Sequence, residues 1–160
     1  MNEDTFSLVQ KLLGITIDKS VKISFAESCT GGMIGSAITE IAGASASFLG
    51  SAVTYSDEAK MSILGVSADT IKQNGAVSAE CAEEMANGAR RIYNSDIAMS
   101  VTGIAGPDGG TDEKPVGTVW FGFSSCDKTS SFIRIFKGDR DKVREAALKQ
   151  VIFFLLEELE

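Results

Sequence analysis

The chain has 160 residues, 22 acidic against 15 basic, with a formal net charge of −7. That length suits one domain over 1–160 that buries a core without staples, and the acidic balance argues against a sequence-independent nucleic-acid binder, which needs a basic face. No apolar run approaches the ~18 residues needed to span a bilayer, and Met1-Asn2-Glu3-Asp4 carries no signal-peptide pattern. Cys29, Cys81 and Cys126 are odd in number and unpaired in spacing, so the expectation is reduced thiols in a cytoplasmic protein.

In chain order, residues 4–18 carry Phe6, Val9, Leu12, Leu13 and Ile17 near helical spacing. Lys22 to Glu27 is the first predicted strand, and Thr30 to about Ala42 the helix after it. Between them lies Ser28-Cys29-Thr30-Gly31-Gly32, a polar turn. Ser28 and Thr30 are both candidate caps there, and Gly31 and Gly32 leave the backbone open to an anion or a carbonyl oxygen. Gly43 to Ser47 is a small-residue loop, and Phe48 to Tyr55 is β-like. Ser56 or Asp57 can cap a helix through Lys60 to Leu64, stopped at Gly65. A short helical piece spans Ala68 to Gln73, and Ser78 caps another from Ala79 to about Tyr93.

Asp96 to Thr102 reads as a buried strand. Gly103 to Pro115 is a long loop with four glycines and both prolines of the chain, of the kind that is usually functional. Val116–Ser125 and Thr129–Phe136 form a predicted antiparallel hairpin, and Gly138-Asp139 opens a last helix from Arg140 to Leu159. Helices alternating with strands, then a hairpin, predict a mixed sheet covered by helices on both faces.

The chain has no histidine. Ser-His-Asp and Cys-His nucleophile pairs are therefore excluded within it, as are zinc sites built on histidine. A general base must be Lys, Asp, Glu or Tyr. In an α/β sheet, ligands sit beyond the carboxyl ends of strands, and three such ends carry unusual chemistry: the Ser28 turn, the stretch from Val53 to Lys60, and the glycine loop after Thr102. That loop matches neither the P-loop nor the dinucleotide fingerprint, so it is a weak phosphate signal that also fits a wide structural turn. Ser125-x-x-Lys128 lies in the predicted hairpin turn, which discounts it as a dyad.

A serine activated by a desolvated lysine remains: burial lowers the amine's pKa, and the neutral amine accepts the serine proton. Ser28 with Lys60 and Tyr55 fits that scheme, with the N–H groups of Cys29 and Thr30 as candidate oxyanion donors. Lys60 as a solvated helix-face lysine and Cys29 as an alternative nucleophile stay open. Arg140, Lys142 and Arg144 crowd one helix start, where they either bind an anion or pair with Asp139, Asp141 and Glu145.

Ala26-Glu27-Ser28-Cys29-Thr30-Gly31-Gly32, then Val53-Thr54-Tyr55-Ser56-Asp57-Glu58-Ala59-Lys60 with Leu64-Gly65-Val66, then Thr102 to Gly110 with Lys114-Pro115-Val116-Gly117-Thr118-Val119, together resemble the C-terminal domain of the CinA (competence/damage-inducible) family. The resemblance covers nearly the whole chain in the right order. It implies a three-layer α/β/α fold with a mixed sheet and a C-terminal helix. It also implies a nicotinamide mononucleotide deamidase, an amidohydrolase that forms nicotinic acid mononucleotide and ammonia with no metal or organic cofactor. Ser28 would be the nucleophile, Lys60 its base and Tyr55 a supporting group. Ser45, Thr102, the glycine loop (Gly103, Ala105, Gly106) and Arg140 would line the nucleotide site beside the Cys29–Gly32 turn.

A pyridine mononucleotide is thus the expected small-molecule partner, with no nucleic acid or membrane and with association into homo-oligomers. The N-terminal domain that usually accompanies this one, associated with a pyrophosphatase activity, lies outside the 160 residues, so the expectation is a stand-alone deamidase. One departure stands out. The family usually has asparagine where this chain has Asp57, whose carboxylate would favour protonated Lys60 and repel a phosphate. That keeps a rival reading in view, a nucleotide- or partner-binding module that retains the pocket without turnover.

Overall fold

A computed structural model describes residues 1–160. Six α-helices and five strands follow in the order α1 (Glu3–Asp18), β1 (Ile23–Glu27), α2 (Met33–Thr39), β2 (Phe48–Val53), α3 (Asp57–Leu64), α4 (Ala68–Asn74), α5 (Ala79–Tyr93), β3 (Ile97–Gly103), β4 (Thr118–Ser124), β5 (Thr129–Ile135) and α6 (Arg140–Leu159), with a 3-10 turn at Ala44–Ala46. The strands form one sheet in the order β2-β1-β3-β4-β5. β1 runs parallel to β2 and β3, and the β3–β4 and β4–β5 pairs are antiparallel. The mixed sheet expected from the sequence is the one found.

Helix starts follow local side-chain chemistry. Asn2, Ser56, Ser67, Ser78 and Asp139 each accept from a backbone N–H in the first turn of the helix they open, the arrangement that relieves orphan donors. α2 is the exception. It begins at Met33 rather than Thr30, because Gly31 and Gly32 sit at φ +60° and +95°, a left-handed stretch that only glycine adopts without cost. Neither Ser28 nor Thr30 caps it. It also ends at Thr39, short of Ala42, and β2 stops at Val53 rather than Tyr55.

The two sheet faces differ in side-chain size. Ile23, Phe25, Met99, Val101, Val119, Phe121 and Phe123 pack into one 24-residue cluster with α1, α2 and α6. The opposite face presents Ala26 and Ala98 to a smaller cluster with α3 and α5, and there Ser100 Oγ donates to the Ala82 carbonyl of α5. Small residues let α5 lie close to the sheet: a Cβ at 122 would sit 2.1 Å from the Ala82 carbonyl oxygen. A Gly122→Ala variant is therefore expected to be destabilised by about 3 kcal/mol, the upper end of the usual cost of overpacking. The urea midpoint measures this, and an unchanged midpoint would contradict so close a contact. No helix is long and apolar enough to cross a membrane.

Candidate active site

Because β1, β2 and β3 run parallel, their carboxyl ends lie at one edge of the sheet, and the loops leaving them bound a cleft of about 240 Å³. Ser28, directly after β1, is 7 % exposed, and its backbone N–H donates to the Val101 carbonyl of β3 at 2.9 Å. Glu27, the last residue of β1, is fully buried. Its carboxylate accepts from the N–H groups of Gly32, Ile34 and Gly35 at 3.0, 3.1 and 2.9 Å, and from Ser51 Oγ at 2.7 Å. The open helix start that Gly31 and Gly32 offer to an anion is thus occupied by the chain's own carboxylate, which sets α2 rigidly against β1 and β2.

Lys60 arrives on the first turn of α3, one turn after its Ser56 cap. It is 1 % exposed, so it is not a solvated helix-face lysine. Its Nζ lies 3.0 Å from Ser28 Oγ, 3.0 Å from the Thr54 carbonyl oxygen and 3.1 Å from the Tyr55 carbonyl oxygen. It forms no ion pair. Burial without a carboxylate partner pushes its pKa below the usual lysine value of 10.5. With Lys60 as an ammonium, all three contacts are donated by Nζ, Ser28 Oγ included. In the neutral amine the two carbonyls, which can only accept, take both N–H bonds, and the nitrogen lone pair faces the Ser28 hydroxyl proton. Asp57 lines the cleft and raises the Lys60 pKa through its charge, but the desolvation outweighs it.

Tyr55 reaches Lys60 through its backbone carbonyl and not its phenol. The side chain is 63 % exposed, and its hydroxyl accepts from Arg140 Nη2 at 3.2 Å. Arg140 Nη1 also donates to the Gly106 carbonyl at 2.7 Å. One turn further along α6, Arg144 donates from Nε to the Cys29 carbonyl and from Nη2 to the Thr30 carbonyl, both at 3.1 Å. Of the charges crowding this helix start, only Lys142 and Asp139 pair with each other. The two arginines instead tie the three site loops to α6.

Cys29, Thr102, Gly103, Ala105 and Arg140 line the cleft with Ser28, Tyr55 and Lys60. Thr30, Gly31, Gly32 and Gly106 do not: Gly32 is engaged by Glu27, the Thr30 hydroxyl is buried with no hydrogen-bond partner, and Gly106 contributes through its bond to Arg140. Ser45 lies outside the cleft, exposed on the 3-10 turn ahead of β2. Since β2 runs parallel to β1, that turn is at the amino edge of the sheet, opposite the cleft. Thr102 spends its hydroxyl on the Ala76 carbonyl at 2.9 Å, which holds the start of the glycine loop. The Cys29 thiol is pushed up to about 11 by burial, so it stays protonated at neutral pH and is a poor nucleophile. Ser125 and Lys128 sit in the β4–β5 turn, at the far edge of the sheet, and Lys128 pairs with Glu158. No group of three or more Cys, Asp or Glu side chains that could hold a metal converges anywhere in the chain.

A family model described as the CinA C-terminal domain matches residues 5–159. The chain belongs to the CinA C-terminal domain family. It is 48 % identical over 141 residues to a CinA-like protein of Petrotoga mobilis, covering 88 % of this chain and 35 % of that protein. It is 46 % identical over 158 residues to a CinA-like protein of Endomicrobium trichonymphae, covering 99 % and 36 %. The chain therefore spans about a third of the length of these curated relatives. Among solved structures, the competence damage-inducible protein A of Klebsiella pneumoniae superimposes with a TM-score of 0.94 at 37 % identity, covering 97 % of this chain and 96 % of that one. A competence/damage inducible protein of Agrobacterium tumefaciens gives 0.94 at 36 % identity, covering 98 % and 96 %.

Within this CinA domain, Glu27 had no role assigned from the sequence, and Arg144, expected to bind an anion or to pair with a carboxylate, bonds main-chain carbonyls instead. Glu27 ends a buried strand and precedes a glycine-opened helix, a pattern that signals an internal carboxylate at the helix start. Arg144 sits one turn after Arg140 on the same face of α6, the i, i+4 spacing that places two side chains together. Neither signal says which backbone groups the side chain meets.

Proposed function

We propose that this CinA domain is a nicotinamide-nucleotide amidohydrolase, with Ser28 as nucleophile and Lys60 as its base. The observation that carries the reading is the 3.0 Å contact between Ser28 Oγ and the Nζ of a buried lysine whose other two partners are carbonyl oxygens. Ser28 Oγ attacks the carboxamide carbon and its proton passes to Lys60 Nζ. The carbonyl π pair moves onto oxygen, forming a tetrahedral oxyanion. Lys60 returns the proton to the amide nitrogen, the C–N bond breaks, and ammonia leaves. Water, giving a proton to Lys60, then adds to the acyl-serine carbonyl; the adduct breaks its bond to Ser28 Oγ, which takes that proton back from Lys60, and the acid product leaves and ionises to the carboxylate. The N–H groups of Cys29 and Thr30 donate to no carbonyl oxygen in the chain, and Cys29 lines the cleft directly after Ser28, which supports the use of this turn as the donor to the oxyanion.

The phosphate of a mononucleotide needs a cation at the mouth of the cleft, and Arg140 is exposed there with no carboxylate partner. Arg140→Ala is expected to raise KM about 10- to 100-fold with a smaller change in kcat, the scale of a lost charge-assisted hydrogen bond. Steady-state kinetics check this split, and an unchanged KM would remove Arg140 from phosphate binding.

The direct test of the function is ammonia release from nicotinamide mononucleotide by the wild-type chain. Turnover supports the amidohydrolase. Calorimetric binding of the nucleotide with no product would favour a binding module. The presence of the Asp57 carboxylate in the cleft is the observation that favours that second reading, and Asp57→Asn would then be the variant to examine for gained turnover.

A further inference from the structure

Arg144 has no ion-pair partner, although it is half-buried against the turn that follows Ser28. All its recorded bonds go to main-chain oxygens, those of Cys29 and Thr30. The Cys29 oxygen and the Thr30 N–H belong to the same peptide unit. That unit therefore receives a guanidinium proton on its oxygen, while its N–H donates to no carbonyl oxygen in the chain. The preceding unit repeats the pattern: the Ser28 oxygen accepts from the Gly31 N–H at 3.0 Å, and the Cys29 N–H donates to no carbonyl oxygen. A hydrogen bond accepted at a peptide oxygen polarises the unit and makes its N–H a stronger donor, more so when the proton comes from a charged group.

We propose that Arg144 is a positioning residue of the oxyanion site: by bonding the Cys29 and Thr30 carbonyls it holds the turn so that both N–H groups stay beside Ser28, and it strengthens the Thr30 donor. The assignment rests on Ser28 as the nucleophile of the amidohydrolase proposed above. It also explains why a half-buried, charged side chain is used on a glycine-containing turn, where a Cβ at 31 would lie 3.6 Å from Arg144 Nη2. Groups that serve a developing oxyanion act in the transition state and not in the ground state, so their loss appears in kcat.

The test compares the wild type with Arg144→Lys and Arg144→Ala. Far-ultraviolet circular dichroism and thermal melting select the variants that remain folded, and Arg144→Lys, which keeps charge and stem, covers the case in which Arg144→Ala unfolds. Two readouts are taken: ammonia release from nicotinamide mononucleotide, and the rate at which a fluorophosphonate probe labels Ser28, as a function of pH. Removing the guanidinium is expected to lower kcat and the labelling plateau by about 10- to 100-fold, less than deleting an oxyanion donor outright, with KM and the pH midpoint unchanged. Added guanidinium should restore part of the Arg144→Ala activity, as a rigid structural role would not. An unchanged kcat, or a shifted pH midpoint with an unchanged plateau, overturns the proposal while leaving the amidohydrolase in place. Labelling that depends on Arg144 without turnover of the nucleotide sinks the substrate assignment and leaves this inference standing.

Discussion

Ser28→Ala and Lys60→Met should each lower kcat for carboxamide hydrolysis by about 10³-fold or more, the scale on which removal of a nucleophile or its base acts. The double variant should be little worse than either single one, because both residues serve one step and their losses do not add. The pH dependence supplies an independent check. The reactive form needs neutral Lys60, and burial holds its pKa below 10.5 in the folded chain, so activity should rise with pH through that lowered value and then level off. The same shift acts on stability. Below 10.5 and above the folded value, the unfolded lysine binds a proton that the native one does not, so this group's contribution to stability grows as pH rises across that window and is lost below the folded value. Lys60→Met, similar in length and uncharged, should flatten the stability dependence while abolishing turnover. A Lys60→Met variant that retains turnover would show that the base lies elsewhere.

Glu27→Gln is expected to lower stability by about 3 kcal/mol, the upper end of the cost of leaving a buried donor without an acceptor. Here each carboxylate oxygen serves two donors. Oε2 accepts from Gly32 and Ile34, and Oε1 from Gly35 and Ser51. Whichever way a glutamine amide turns, its NH2 faces at least one backbone N–H, and a buried donor left without an acceptor costs about 1–3 kcal/mol. For a chain of this size each kcal/mol lowers Tm by roughly 2–4 °C, so a fall of about 10 °C is expected by calorimetry. A Tm within a degree or two of wild type would mean that the α2 start does not depend on this carboxylate. Because Glu27 adjoins Ser28, the variant that survives folding should also lose activity, as the turn carrying the nucleophile is anchored through the same residue.

Much of this protein is legible in its amino-acid order. Ser56, Ser78 and Asp139 announce their helices, the largely apolar run from Ile97 to Val101 announces the central strand, and the missing histidine removes the histidine-based dyads and brings serine with lysine forward. Such features depend on neighbours within a turn or on composition, so no tertiary information is needed to find them. The site itself is another matter. Ser28 and Lys60 are 32 residues apart, and Arg144 is 115 residues from Cys29.

Whether Lys60 is solvated or desolvated depends on the β1–β2–β3 edge closing over it, and the sequence left both states open. The Tyr55 phenol turns to Arg140 while its carbonyl serves Lys60, a division that no side-chain pattern encodes. Ser45 falls at the amino edge because parallel pairing of β1 and β2 puts the start of β2 opposite the cleft. Local chemistry therefore set the elements and nominated the nucleophile and base. Only packing decided which groups lose water, and which backbone atoms each charged side chain meets, because desolvation and hydrogen-bond partners are properties of the assembled sheet and not of any single stretch of chain.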